Sequence, residues 1–475
     1  MRGRRSAVVL TAVLTAGLLL GGSSAQAEPT PASAPPAASA DAAPAADPAS
    51  RWTGLSPCVE PTLTSYLCGK LTVRLDRNDK RSRTLDLPVL VAGNPQADRT
   101  MLLLTGGPGQ PGPRLAPRVL RAFEGIANDY RIVMLDQRGT GANALNCPEL
   151  QEERGGSDLR VPSRAAVLAC AATLGPDREH YATTDSVADF EDLRRALRVD
   201  KWAVDGVSYG TYTAQRYAAA HRTKVTHLVL DSVVPVDAFR ADLAETFPDF
   251  ARVLRDVCAT PGRGCPGDPA ADLAAVLRRT PALGPQLLEM VTMMSYVDPA
   301  RYLFAPEALH DAAGGDDTRL RELIALVDQF SEAPASEYSQ GIQASTLCLD
   351  LDFPWGSAQA PEHSRARKAD RAVSLLKPGQ LWPFNAETAR GNGEMVMCEH
   401  WPKVKDPEVR GLSLVGVKAL LVHGERDLGT PLVWAREAHR DIPGSRLVVV
   451  PDGGHSLQVS GAGTVRQTVT EFLLG

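Results

Sequence analysis

The chain has 475 residues, 44% of them apolar and 23% charged, with a formal charge of −5. That length allows one large core with a substantial second unit. The mild acidity excludes an electrostatic nucleic-acid binder and gives no sign of a membrane-surface protein.

The N-terminus reads as a targeting segment. M-R-G-R-R is basic, Ala7–Leu20 is an apolar run, and Ala25-Gln26-Ala27 is a small-residue cleavage site. Together they predict a secretory signal peptide over residues 1–27. The run is shorter than the ~20 residues of a spanning helix, so no membrane anchor is expected and the mature protein should be extracellular. Arg4-Arg5 sits in a poor twin-arginine context, which leaves the general secretory route as the default. Residues 28–50 are nearly all Ala, Pro, Ser and Asp; with so little to bury, they predict a disordered linker or pro-segment.

Beyond residue 50, short apolar runs alternate with helical patterns. Met101–Thr105, Arg131–Asp136, Trp202–Asp205, His227–Asp231, Lys418–His423 and Arg446–Val450 fit strands buried on both faces of a parallel sheet. In residues 185–198, Val187, Phe190, Leu193 and Leu197 form one helical stripe, with Thr184 or Asp185 available as N-cap. Tyr209–His221 is a second helix. From 237 to 410 the rhythm changes to helical patterns joined by proline-rich links. The expected architecture is therefore an α/β sheet in two parts, 51–236 and 411–475, with a helical cap over 237–410.

The cysteines are Cys58, Cys68, Cys147, Cys170, Cys258, Cys265, Cys348 and Cys398. An even number behind a signal peptide predicts disulfides, and we expect sequential pairing: 58–68, 147–170, 258–265 and 348–398. C-x-x-C and H-E-x-x-H spacings are missing, so no metal or other cofactor is expected.

The chemistry centres on G-V-S-Y-G, residues 206–210. Such a pentapeptide arises by chance roughly one time in six in a chain this long, so its context decides. W-A-V-D runs into it as a strand and a helix follows, which is the layout of a nucleophile elbow. Ser208 then stands on a strained turn at a helix N-terminus, where developing negative charge is favoured. A serine needs a base, and P-D-G-G-H-S places His455 just past the last strand. The preceding strand ends in G-E-R-D-L-G-T-P; Asp427, beyond the turn glycine, is preferred over Glu425 as the orienting acid. His423 reads as a packing or hydrogen-bonding residue. The order Ser208, Asp427, His455 is that expected of α/β-hydrolases. For an oxyanion hole, Tyr209 supplies one backbone donor and Gly107, in the G-G-P-G loop after M-L-L-L-T, the other. That loop lacks the G-x-x-x-x-G-K-[ST] pattern of a phosphate cradle. Asp136 and Arg138 of D-Q-R-G-T-G read as a buried structural pair.

These motifs (G-G-P-G, D-Q-R-G, G-x-S-Y-G, H-G-E-R-D-x-x-T-P and G-G-H-S) together resemble the secreted bacterial tripeptidyl aminopeptidases, α/β-hydrolase relatives of the prolyl aminopeptidases. The resemblance spans the whole mature chain. It implies a serine exopeptidase whose partners are peptides with free N-termini. Prolyl aminopeptidases usually carry His before G-G-P-G, where this chain has Thr105. An exopeptidase also needs a carboxylate for the substrate α-ammonium. If Cys348 pairs with Cys398, then Asp350, Asp352 and Glu399 become neighbours in the cap, with Trp355 and Trp401 as apolar walls. The alternatives are a secreted carboxylesterase or lipase with the same triad and a non-catalytic binding protein on a hydrolase scaffold. Oligomeric state is not encoded in any of these features.

Overall fold

Runs of Leu, Val and Ile set the sheet. In the computed structural model, which describes residues 50–236, 243–260, 264–297, 304–357, 359–404, 412–460 and 463–475, they build one ten-stranded sheet. These residues belong to one unit of the chain, Ala43–Gly475. The signal segment 1–27 and all of the linker 28–50 except Ser50 lie outside the described residues. So do the two expected cap boundaries, at 237 and 410.

The strands are β1 (Arg51–Trp52), β2 (Ser56–Pro57), β3 (Leu67–Arg74), β4 (Thr84–Gly93), β5 (Arg99–Leu104), β6 (Tyr130–Leu135), β7 (Trp202–Val207), β8 (Val225–Asp231), β9 (Ala419–Gly424) and β10 (Arg446–Val450). Their spatial order is β1-β3-β4-β6-β5-β7-β8-β9-β10, with β2 also on β3. The stretch from β6 to β10 is parallel. The N-terminal edge, β1 to β4, is antiparallel and joins β6 antiparallel; it was not among the expected strands. Leu102, Val204, Leu228 and Leu421 are fully buried on one face, and Leu420, Val229 and Met101 on the other. Each such side chain stabilises the fold by about 1.5–3 kcal/mol relative to exposure. The protein thus has the α/β-hydrolase fold, a mostly parallel sheet flanked by helices.

The helix expected over 185–198 covers Thr183–Ala196. Its start differs from the expectation: Ala182 is the cap position, and Asp185 reaches back to accept the Ala182 N–H at 3.1 Å. A carboxylate one turn inside the helix does the capping there.

Between β8 and β9 the described residues are largely helical. Phe247–Ala259, Pro269–Arg279, Gly284–Val297, Ala305–Gly314 and Thr318–Phe330 come first, then Gln340–Asp350, Glu362–Ser374 and Gly393–His400. The first group shares a core that takes in Leu428 and Trp434, which follow β9. The second packs with Leu150, Val167, Tyr209 and Tyr212. Disulfides join Cys58 to Cys68, Cys147 to Cys170, Cys258 to Cys265 and Cys348 to Cys398.

Register brings the functional loops together. Leu104 pairs with Gly206, Val207 with Asp231, Asp231 with Val422, and Gly424 with Val450. The loops leaving β5, β7, β8, β9 and β10 therefore all emerge at the carboxyl edge of the sheet, where α/β folds bind ligands.

Candidate active site

Ser208 lies between β7 and the helix Tyr209–Ala220, with φ 59° and ψ −128°. A non-glycine residue there is strained. Its neighbours make room for it: a Cβ on Gly206 would sit 2.3 Å from the Gly210 carbonyl oxygen, and one on Gly210 would sit 2.5 Å from that of Leu104. The Ser208 N–H donates to the Asp231 carbonyl at 2.9 Å, and the Ser208 carbonyl accepts the Thr211 N–H at 2.8 Å. The turn is thus fixed from both sides.

Asp427 and His455 meet. Nδ1 of His455 is 3.0 Å and 2.9 Å from the two carboxylate oxygens of Asp427. Asp427 is fully buried and also accepts the N–H groups of Gly429 and Thr430, at 2.9 and 3.0 Å, and the Thr430 hydroxyl at 2.8 Å. Burial alone would push its carboxyl up, but the charge and hydrogen bond of His455 prevail and hold it at about 2. For His455, burial favours the neutral ring, yet Asp427 raises its pKa above the ordinary 6.5. An imidazole that donates from Nδ1 presents Nε2 as a proton acceptor. The Glu425 backbone is occupied on both sides: its N–H donates to Val450 and its carbonyl accepts from Arg252. His423 is fully buried, and its Nδ1 accepts the Val233 N–H at 3.3 Å; burial keeps it neutral.

A pocket opens over Ser208. Gly107, Ser208 and Tyr209 form its floor, and Leu243, Phe250, Leu347 and Trp434 give it apolar walls. The rest of the lining includes Asp158, Glu394 and Tyr296. Asp158 accepts the Tyr338 hydroxyl, the Gln343 amide at 2.6 Å and the Tyr296 hydroxyl at 3.3 Å. Burial raises its pKa. Glu394 is pushed up to about 8, by burial first and then by the charge of Asp158, with Arg154 opposing. Among the described residues its Oε2 is buried without a hydrogen-bond partner.

The cap carboxylates singled out from sequence fall elsewhere. Asp350 turns toward the core, accepting the Thr183 N–H at 2.9 Å and the Tyr209 hydroxyl at 3.3 Å. Asp352 is exposed. Glu399 pairs with Arg390 at 2.7 Å. None of the three is among the residues lining the pocket over Ser208. The helix Gly393–His400 explains the difference: Glu394 is one turn before Cys398 and shares its face, whereas Glu399 is turned to another. The clue in the sequence was a carboxylate inside the apolar run G-E-M-V-M-C. Asp158 had no comparable local signal.

Asp136 and Arg138 do not pair with each other. Asp136 accepts the N–H groups of Gly112 at 2.9 Å and Ala142 at 3.3 Å. Arg138 makes a two-pronged contact with Asp189, both bonds at 2.7 Å, and donates to the carbonyls of Leu75 and His180. Two residues apart at a strand end, they are claimed by different neighbours.

Comparison with known proteins agrees with this architecture. Residues 99–265 match the model of the alpha/beta hydrolase fold, and residues 383–475 that of the TAP-like proteins. A tripeptidyl aminopeptidase of Streptomyces lividans is 27% identical over 82% of this chain and 77% of its own. A proline iminopeptidase of Arabidopsis thaliana is 31% identical, covering 74% of this chain and 68% of its own. The serine protease Hip1 of Mycobacterium tuberculosis is 23% identical over 86% and 85%. Fold and relatives together define an enzyme of the α/β-hydrolase class, a serine peptidase. Within that class, the chain belongs to the tripeptidyl aminopeptidase-like family.

Proposed function

We propose that the protein is a secreted serine exopeptidase that cleaves peptides near their free N-termini. The observation that carries this reading is the presence of Asp158 and Glu394 in the same pocket as Ser208. A carboxylate with an unpartnered oxygen in a partly apolar pocket is suited to a cationic group, and the α-ammonium of a peptide is one. The relatives' names support a peptidase. The four disulfides and the N-terminal signal pattern support export.

In this reading Ser208 Oγ attacks the scissile carbonyl while His455 Nε2 takes its proton. Asp427 holds the tautomer and stabilises the imidazolium. The oxyanion is met by the N–H groups of Tyr209, at the start of its helix, and of Gly107. His455 returns the proton to the leaving amine, and the N-terminal fragment stays on Ser208 as an ester. Water, deprotonated by His455, then releases it. Asp158 and Glu394 hold the ammonium, and the apolar walls take the side chains.

The test compares a free tripeptide p-nitroanilide, its N-acetylated form and a p-nitrophenyl ester, alongside fluorophosphonate labelling. Labelling should vanish in Ser208→Ala, and the free tripeptide should be cleaved far faster than its acetylated form. Labelling that survives in Ser208→Ala removes the triad from consideration. Equal turnover of free and acetylated peptides would favour the carboxylesterase alternative.

A further inference from the structure

One cap helix holds both loops that carry Asp427 and His455. Ser295 and Tyr296 lie near the end of the helix Gly284–Val297. The Ser295 carbonyl accepts the His455 N–H at 3.3 Å, and its hydroxyl oxygen accepts the Leu428 N–H at 3.4 Å. The Tyr296 ring stands edge-on to the imidazole of His455, with centroids 4.5 Å apart and planes at 61°. The same ring presses on the acid loop: a Cβ added to Gly429 would lie 2.0 Å from Tyr296 Cε1. Its hydroxyl donates to Asp158 Oδ2 at 3.3 Å, and the ring lines the pocket between these groups. Tyr296 thus touches the base, the loop of the orienting acid and one of the pocket carboxylates.

We propose that Tyr296 is a positioning and specificity-determining residue that couples occupancy of the Asp158–Glu394 end of the pocket to the placement of His455. The ring limits rotation of the imidazole about its bond to Asp427. The hydroxyl anchors the ring to Asp158, so a cationic group that draws on Asp158 also resets the ring. Burial and the neighbouring carboxylates Asp158 and Asp427 keep the phenol protonated and therefore a donor. This proposal rests on the reading given above of Ser208, His455 and Asp427 as the triad and of Asp158 and Glu394 as the ammonium site.

The test uses the full-length protein with Tyr296→Phe, which keeps the ring, and Tyr296→Leu, which removes it. Three quantities are measured for each: the fluorophosphonate labelling rate, and kcat/KM for the free tripeptide anilide and for the p-nitrophenyl ester. In Tyr296→Phe the ratio of free-peptide to ester kcat/KM should fall about five-fold or more, because the hydrogen bond to Asp158 is lost. In Tyr296→Leu the labelling rate should fall about ten-fold further than in Tyr296→Phe, because the imidazole loses its wall. The ratio is internal to one sample and the labelling rate is read against its own endpoint, so partial misfolding cannot imitate either result. A wild-type ratio in Tyr296→Phe, or equal labelling rates in the two variants, overturns the proposal. Ser208→Ala run in parallel distinguishes the two failures: labelling that persists there defeats the underlying triad instead.

Discussion

Asp231 and Gln458 meet across the carboxyl edge of the sheet: the Gln458 N–H donates to Asp231 Oδ2 at 2.8 Å. The neighbouring Leu457 N–H donates to Oδ1 at 3.1 Å, and Ser232 Oγ accepts the Ser456 N–H at 2.8 Å. Gln458 also reaches Asp205, inside β7, at 3.1 Å. The segment that follows His455 is thereby pinned to the end of β8 and to the elbow strand.

Asp231→Asn tests that pin. Both carboxylate oxygens accept N–H groups, so an amide must turn its NH2 toward one of them. The clash of donors should cost about 1–3 kcal/mol of unfolding free energy in a urea titration, and kcat should fall about ten-fold as the His455 loop shifts. An unchanged kcat would show that His455 is held without this contact.

The acid limb of the pH profile should follow His455. Asp427 raises its pKa, so kcat/KM should fall with a midpoint above the ordinary 6.5. Asp427→Asn should move the midpoint down and lower kcat by about 10³–10⁴-fold.

The same pair sets a stability window. The carboxyl of Asp427 is lowered from 3.8 to about 2, so its stabilisation is present above 3.8 and disappears as pH falls through about 2. The imidazole of His455 is raised, so its stabilisation is present below 6.5 and disappears as pH rises through the folded value. The difference in Tm between wild type and Asp427→Asn should therefore be greatest between about pH 4 and 6.5. A difference that keeps growing above that window would contradict the assignment.

Glu394, pushed up to about 8, is largely protonated at neutral pH. Holding an ammonium requires its ionised form, so KM for a free peptide should fall as pH rises from 6 toward 8. Glu394→Gln should flatten that dependence. It should also lower kcat/KM for the free peptide about ten-fold, and for the ester by much less. A KM with no pH dependence in the wild type would rule out Glu394 as the counter-ion.

Arg138→Ala should unfold the protein before it affects chemistry. Arg138 is fully buried, and its loss removes both of its bonds to Asp189, leaving Arg77 there, and takes the donor from the Leu75 and His180 carbonyls. A cost of about 3–5 kcal/mol follows, visible as a lower urea midpoint and a poor yield of folded protein. An unfolding free energy within ~0.5 kcal/mol of wild type would show that Arg77, which also pairs with Asp189, compensates.

The parts of the candidate site readable in sequence are those written locally. Ser208, Asp427 and His455 each lie just past a strand end inside a short glycine-bearing motif, so strand, turn and side chain appear in one window. The pocket carboxylates are written in no single window. Asp158 lies in an irregular stretch before the elbow, Glu394 in a late cap helix, and only the packing of the cap brings them together. The antiparallel edge was hidden for another reason. Pro88 interrupts L-D-L-P-V-L-V, yet β4 accepts it opposite Lys70, and its carbonyl still receives the Asp136 N–H at 2.9 Å. A proline discourages a strand reading even where only its missing N–H would matter.

Asp231 of β8 pairs with Val422 of β9 across the sheet, although the entire cap separates them along the chain. During synthesis, at about 5–20 residues per second, the elbow is made long before the strands that carry Asp427 and His455. A chain that stops anywhere within the cap has a serine on a strained turn with no base beside it and an open sheet edge at β8. In the proposed reading, proteolytic competence therefore arrives last, with the two strands that complete the sheet, and an interrupted chain is a candidate for degradation rather than an agent of it.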